Sequence, residues 1–482
     1  MENEVICDSI VKERHTCDFF QVISFLMTIM YALLPIYAIF SPENHGVIFK
    51  YISFFGICGF VFFGGVNIIL KCVNSADGSF FENLSDVLKT GLKSAFSNKH
   101  GLLLLFVYIL SVISALFAPD KVRSFFGTDF RPDGVLMYTS FAVAFIFASC
   151  IKKKCLKNAV LAVYIVSFMI ISLIMVQQYF GIIGTASKRE SGKIGQILKT
   201  FYDSLGIRTG HFYKGYTGSF YNLNHMGYYT VICSMLITGL LIKAKGILSN
   251  IFFALLAAYS YCTVIMNDTF GAYIAILAAS VLVSLCIFVF SKNKNVCLAV
   301  KLLFPVAVFV SVSIGFSYFS AIGKDGNTIA KNISTFSEDV KNVAKENGSK
   351  EVRAFSGRWP LWSATVDMIR ERPLAGYGAD NLKKEYKKRN VKMDRAHCEI
   401  LEMAVSSGIP AAIFYVFALL QVIFKRIRDK NLLKKDDSYL PFLMAIVGYC
   451  VSALVGVFLF YTAIHFMIMI GMLSNNDTRL EN

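Results

Sequence analysis

Charge is scarce in this sequence. Only 17% of its 482 residues are Asp, Glu, Lys or Arg, against about 25% in an average soluble domain. Proline is scarce too, with nine in the chain, and there are only two tryptophans. A soluble chain of this length would divide into domains with polar surfaces. Here the apolar residues, 55% of the total, come in long blocks separated by short basic loops. That pattern excludes a soluble globular enzyme, a disordered chain and a fibre. It points to an all-α polytopic integral membrane protein.

Other classes lack their signatures. The twelve cysteines do not form a disulfide framework. Cys58, Cys233, Cys262, Cys286 and Cys450 fall in or beside apolar blocks, where cysteine serves as a small hydrophobe. The formal charge of +16 is not a nucleic-acid footprint, because Lys and Arg flank apolar blocks as the positive-inside rule requires. No nucleic-acid partner is expected. There is no Cys/His zinc spacing, and the long loops carry no Walker motif, so no metal and no cofactor are expected.

Twelve spans are read, at Phe19–Phe40, Val47–Leu70, Gly101–Phe117, Val135–Cys150, Ala159–Phe180, Met226–Leu241, Leu248–Met266, Gly271–Phe290, Val300–Ala321, Ile409–Phe424, Tyr439–Val455 and Phe458–Leu473. The last pair reads either as two short helices or as one long tilted one. The first eighteen residues are polar and the first block is too long for a signal h-region, so no cleavable signal is expected. With both termini in the cytoplasm, the inner segments hold 22 Lys/Arg, including Lys152, Lys153, Lys154 and Lys157. The short outer loops hold four: Lys50, Lys121, Arg123 and Arg131. The organisation expected is a cytoplasmic tail over 1–18, a single transmembrane domain over 19–473, and a cytoplasmic tail over 474–482. Two outer loops are long, 181–225 and 322–408. The second is too long for an idle tether.

The first half of that loop, Ile322–Lys350, has the composition of a weakly structured segment. Beyond it, Trp359, Trp362, Val366 and Ile369 recur at spacings of three and four. This predicts an amphipathic helix whose rings suit the headgroup layer. A second helix is expected from about Ala396 toward the next span. Arg395 and Glu399, four apart, are positioned to pair, with Glu402 three further on. His397 lies at that helix N-terminus, where local N–H groups disfavour imidazolium and welcome an anion. A neutral His there suits general-base work; the plainer reading is a hydrogen bond to a loop carbonyl. Cys398 has no evident partner. Asn222, Asn224 and His225 stand where an outer loop re-enters the membrane, as a helix cap or as sugar contacts. Tyr221 and Tyr377 have rings suited to stacking on sugars. Lys383, Lys384, Lys387, Lys388 and Arg389 form a charge run expected to be solvated.

Four stretches together resemble the O-antigen ligase and O-antigen polymerase superfamily of bacterial polysaccharide membrane proteins. They are FFGTDFRPDGVLMY (125–138), GSFYNLNHMGYY (218–229), GRWPLWSATVDMIRERPLAGYGADNL (357–382) and RAHCEILEMAVSSGIPAAIFY (395–415). The resemblance runs in order from about Ser111 to Leu473. The chain departs from the pattern at Asn267–Asp268–Thr269, where a Ser-Arg pair is usual. It departs again at Cys398, where Asn usually follows the His, and at Ser406–Ser407, where Glu is common before the Gly. The resemblance implies a membrane glycosyltransferase, a lipid-linked oligosaccharide polymerase or ligase, with polymerase favoured. It would act at the outer face of the bacterial cytoplasmic membrane, and members are described as metal-independent.

The donor implied is an undecaprenyl-diphosphate-linked oligosaccharide, and the acceptor is a glycan or another surface acceptor. Membrane lipids, a flippase and a chain-length regulator are the further partners implied. Such a site needs cations for the leaving diphosphate, with Arg131, Arg358 and Arg395 as candidates. It also needs a base, with His397 as candidate. The catalytic set expected is His397, Arg358 and Arg395. The substrate-binding set is Arg131, Asn222, Asn224, His225, Trp359, Trp362, Tyr377 and Glu399. Each arginine has a plainer role, Arg131 snorkelling, Arg358 pairing with a loop acid and Arg395 pairing with Glu399. Asp129, Asp133 and Asp268 are the acids that would hold a cation if one bound. Two other classes remain: a polysaccharide or lipid transporter or flippase, which calls for charge inside the spans, and a non-catalytic assembly or sensor protein.

Overall fold

The computed structural model describes residues 20–474 except 41–43, 75–78, 80, 87–88, 90–97, 130, 184–191, 208–214, 291–295, 323–327, 346–353, 430–438 and 457–459. The tails read as cytoplasmic, with Lys12, Arg14 and Arg479, lie outside the described residues. So does Phe130 within the 125–138 motif. Among the described residues every regular element is helical.

A bent pair opens the chain, α1 (Phe20–Ala32) and α2 (Leu34–Phe40), meeting at 48°. Then come α3 (His45–Asn74), α4 (Lys99–Leu116), the short α5 (Lys121–Phe126), α6 (Val135–Cys150), α7 (Lys154–Tyr179) and α8 (Gly192–Ser204). The central run is α9 (Leu223–Lys243), α10 (Ile247–Met266), α11 (Phe270–Phe290) and α12 (Val296–Ile322). The rest are α13 (Thr328–Lys345), α14 (Arg358–Glu371), α15 (Leu382–Lys388), α16 (Glu399–Ser407), α17 (Ile409–Ile427), α18 (Tyr439–Ala453) and α19 (Phe460–Ser474).

Each of the twelve apolar blocks coincides with a helix or, for the first, the bent pair. Among the described residues eight helices are long and apolar enough to cross a membrane, nine if the bent pair is one span. Helices α6, α18 and α19 are apolar but shorter. The protein is thus an all-helical, polytopic membrane protein. The final apolar stretch forms two helices. The segment Ile322–Lys350 is more regular than its composition suggests, because Thr328–Lys345 is a helix. Its apolar residues Ile329, Ile333, Phe336, Val340 and Val343 recur at alternating spacings of four and three.

The core is centred on α9, of which 94% of the most apolar window is buried. It packs against α18, α10 and α11, while α19 packs on α6 and α17 on α4. With lipid outside, close backbone approach replaces hydrophobic exclusion as the source of helix association. A methyl on Gly239 of α9 would stand 2.5 Å from Pro441 Cα of α18. Helix ends then fall into two sets. Gln21 accepts from the backbone N–H groups of Lys152 and Lys153 at one end, where Lys157 also meets the Tyr439 hydroxyl. The starts of α3, α6, α9 and α19 gather at the other end.

Gly239→Ala should lower stability by roughly 1–3 kcal/mol through overpacking. Gly315, on α12, has no atom within 4 Å of an added Cβ. Gly315→Ala should be neutral or slightly stabilising, because alanine favours helix. Thermal unfolding midpoints of the two purified variants would separate these outcomes.

Candidate active site

The site lies where α3, α6, α9 and α19 begin and where the loops around α14 and α16 cover them. Rings from three elements meet there. His45 of α3 stands 4.9 Å from Tyr461 of α19, and Tyr221, just before α9, stands 4.5 Å from His225. Tyr221 and Tyr461 are 5.4 Å apart. Next to α6, buried Asp133 lies beside the backbone N–H of Phe460 at the start of α19.

Arg395 ties the loops to this floor. Its guanidinium donates to Asp133 at 2.7 Å, to Asp380 at 2.7 Å and to Glu402 at 3.3 Å. All four side chains are buried. Arg123 of α5 reaches the other oxygen of Asp380 at 2.9 Å. Three carboxylates therefore share two guanidinium groups, leaving an excess of one negative charge. Burial pushes the Asp133 carboxyl up to about 6 against the pull of Arg395, so a proton there relieves the excess. The pairing expected from spacing, Arg395 with Glu399, does not form. Arg395 precedes α16 instead of lying on it, so the four-residue helical neighbour rule does not apply.

Glu399 points into the bundle. Its carboxylate accepts from the Tyr415 hydroxyl of α17 and from the Tyr449 hydroxyl of α18, the latter at 2.8 Å. Burial raises it to about 7 despite those donors. It is closed off from any ligand by this packing. The second helix starts at Glu399 rather than Ala396, and it breaks at Gly408, where φ is +92°. A Cβ there would meet the Leu374 carbonyl oxygen at 2.1 Å, so glycine permits both the turn and the approach. The Gly376–Gly378 turn lies alongside, with Tyr377 N donating to Val405 O at 2.9 Å and Gly378 N to Ser406 O at 2.9 Å. Tyr377 is absorbed into this scaffold. It is buried, donates its hydroxyl to Glu371 at 2.5 Å and lies under Arg372.

His397 is the strained residue of the corner, with φ +50°. The peptide before it is gripped on both sides. Trp362 donates its indole N–H to Ala396 O at 3.0 Å, and Ala396 N donates to Glu402 at 2.6 Å. Burial, then the field of Arg358, lowers His397 to about 4. At neutral pH the ring is uncharged. Arg131 pairs with Asp394 and is an electrostatic neighbour of both His397 and His225. The guanidinium of Arg358, at the first position of α14, makes no ion pair or hydrogen bond among the described residues, and its buried Nε is unpartnered.

The remaining expected residues divide. Asn222 is a helix cap, accepting from Asn224 N at 2.8 Å. His225 is buried at the floor with Nδ1 unpartnered. Trp359 is half-buried on α14. The helix around it differs from the expected headgroup helix, since Leu361, Thr365 and Met368 face the core and Trp362 is bonded inward. The charge run is partly paired. Arg389 meets Glu371 at 2.5 Å and Lys388 meets Glu385 at 2.7 Å. Of the acids considered for a cation, Asp133 is held by Arg395 and Asp129 by Lys50. Burial raises the Cys398 thiol, which keeps it from being an activated nucleophile. Sequence reasoning missed Asp380, Asp394, Tyr415 and Tyr449. The only local signal for Asp380 is its place two residues after the Gly-x-Gly turn.

Arg395→Met should cost roughly 3–5 kcal/mol at pH 8, because it strands buried carboxylates. Asp133 is raised to about 6 with Arg395 pulling it down; without Arg395 it is raised further, so the folded variant takes up a proton above pH 6 and its penalty is relieved as pH falls toward 6. The deficit of the variant should therefore shrink at pH 5.5. Unfolding midpoints of wild type and variant across this range would check the sign; a deficit that grows on acidification would contradict it.

No curated protein matches the chain. Residues 252–416 match the model of the family described as O-antigen ligase. That stretch contains Arg358, Arg395 and His397, while Arg131, Asn222, Asn224 and His225 lie before it. The match supports an O-antigen ligase-like membrane function, with lipid-linked oligosaccharide and glycan acceptor as the substrates that family implies. Over residues 252–416 the chain is similar to the O-antigen ligase family.

Proposed function

We propose that this protein is a glycosyltransferase that polymerises, or alternatively ligates, an oligosaccharide carried on undecaprenyl diphosphate, at the outer face of the cytoplasmic membrane. Twelve spans, cytoplasmic termini and outer loops at 181–225 and 322–408 form the layout that goes with this reading. The observation that carries it is the pairing of neutral His397 with unspent Arg358. A base and an uncommitted cation are what transfer from a lipid diphosphate requires. The basic residues Lys152, Lys153 and Lys154 at the opposite end of the bundle support an outward-facing site.

His397 takes the proton of the acceptor hydroxyl. The oxygen forms a bond to the anomeric carbon as the bond from that carbon to the diphosphate oxygen breaks. The electron pair leaves with the lipid diphosphate, which Arg358 neutralises with help from Arg131. The proton then passes from His397 to solvent. In this reading Arg395, Trp362 and Glu399 are positioning residues. Arg395 holds acids, Trp362 holds the peptide before His397, and Glu399 anchors α16.

The test uses purified protein in lipid with labelled undecaprenyl-diphosphate oligosaccharide, following glycan length and released lipid diphosphate. Wild type should extend the glycan into a ladder. His397→Ala and Arg358→Ala should each lose roughly 100-fold or more in turnover. Activity should be level from pH 6 to 8 and fall toward pH 4, where His397 becomes protonated. A single product of unchanged glycan on a new acceptor would identify a ligase. Movement of the lipid across the bilayer without transfer would identify a transporter.

A further inference from the structure

Helix α8 presents three distinct sides. Gly195, Leu198 and Tyr202, at spacings of three and four, are its protein-facing side. Gly195 is buried, Leu198 is partly covered, and Tyr202 exchanges hydrogen bonds with Gln177 at 3.0 and 3.1 Å. One sector round, Ile194, Ile197 and Phe201 repeat the same spacing and are 71%, 67% and 55% exposed, and Leu205 follows at 50%. The remaining sector is polar and exposed, with Lys193, Gln196, Thr200 and Ser204. A helix bordering only protein and water has no use for the middle sector. A helix lying flat on a bilayer boundary, against the flank of a protein, needs all three.

Its attachment point fits that placement. Gln177 belongs to the last turn of α7, whose outward side carries exposed Val166, Ile170, Leu173 and Phe180. That stripe is part of the lipid-facing belt, and α8 crosses its end. Gln178, the next residue, accepts from the backbone N–H groups of Thr217 and Gly218 at 3.1 and 2.9 Å. These residues lead to Tyr221 and His225. Adjacent glutamines thus hold α8 and the entrance to the site floor at the same end of α7.

We propose that α8 is an interfacial helix that docks its Ile194–Ile197–Phe201–Leu205 side into the upper acyl layer of the phospholipid leaflet beside the site. The sequence pointed to the Trp359 helix for this role, but that helix buries Leu361, Met368 and Ile369 against protein and bonds Trp362 inward. The proposal is independent of the glycosyl-transfer reading.

Phe201→Trp in full-length protein reconstituted into phosphatidylcholine vesicles reports the contact, read as the emission added over wild type. Leu173→Trp, lower on the same flank, serves as the depth reference. Lipids brominated high on the acyl chain should quench roughly half of the emission added at position 201. They should quench position 173 less than deeply brominated lipids do. Emission at 201 that no brominated lipid quenches would overturn the proposal, whether water or a second copy of the chain covers the helix. Quenching at 201 that is deepest at the same bromine depth as 173 would also overturn it, because the helix would then be inserted rather than interfacial.

Discussion

Arg395 is the constraint on which the site depends. Its guanidinium joins the loop before α6, the turn after α14 and the first turns of α16. Removing these charges from water costs several kcal/mol per ion, so the cluster is a weak source of stability. What it supplies is position. Each carboxylate comes from a different part of the chain, and each would be left buried and unpaired if its segment moved. Arg123 adds a fourth segment through Asp380. Burial and the second acid raise Asp133 to about 6 against the pull of Arg395, so a proton meets the remaining excess of negative charge only as pH falls to that range.

His397 makes use of that rigidity. A non-glycine residue in the left-handed region costs on the order of 1–3 kcal/mol and persists where surrounding structure over-determines it. Here Trp362 and Glu402 fix the preceding peptide from opposite sides. Glu399 fixes the helix that follows through two tyrosine hydroxyls. The imidazole is therefore held in a defined direction and kept neutral by burial and by Arg358. A neutral ring in a fixed place is what a general base needs. A merely structural histidine would be expected to bond a neighbouring carbonyl, which would not call for a strained backbone.

The apolar helices were legible because hydropathy is a local property, and each block coincides with a helical element, eight or nine of them long enough to span among the described residues. The site was legible in part. Arg358 is an electrostatic neighbour of His397. The partners of Arg395 were not legible, because Asp133 lies 262 residues away and Asp380 lies across a turn. Spacing alone favoured Glu399, yet the helix begins only at that residue. The Trp359–Trp362 stripe is divided, with Val366 exposed, Ile369 buried and Trp362 bonded inward. Periodicity identifies an apolar side without saying whether protein or lipid covers it. For α14 the covered side is protein, through Leu361, Thr365 and Met368. For α8, whose apolar spacing was there to be read, only the exposure of Ile194 and Phe201 shows what is left uncovered.

The distribution of charge around His397 also decides which arginine can meet a new anion. An anion approaching Arg395 would have to displace one of three carboxylates from a buried site and strand it. An anion approaching Arg131 would share it with Asp394, an exchange that is possible but partly self-cancelling. The Arg358 guanidinium bears no such commitment among the described residues, and it stands at the positive end of the α14 dipole. Binding there breaks no ion pair and satisfies a buried Nε that has no partner. The same field acts against a proton on His397, so an anion seated at Arg358 would relax that pressure and make the imidazole more basic. Leaving-group binding and base strength are thereby coupled through one guanidinium, and removing it should weaken the binding while leaving the free imidazole more basic.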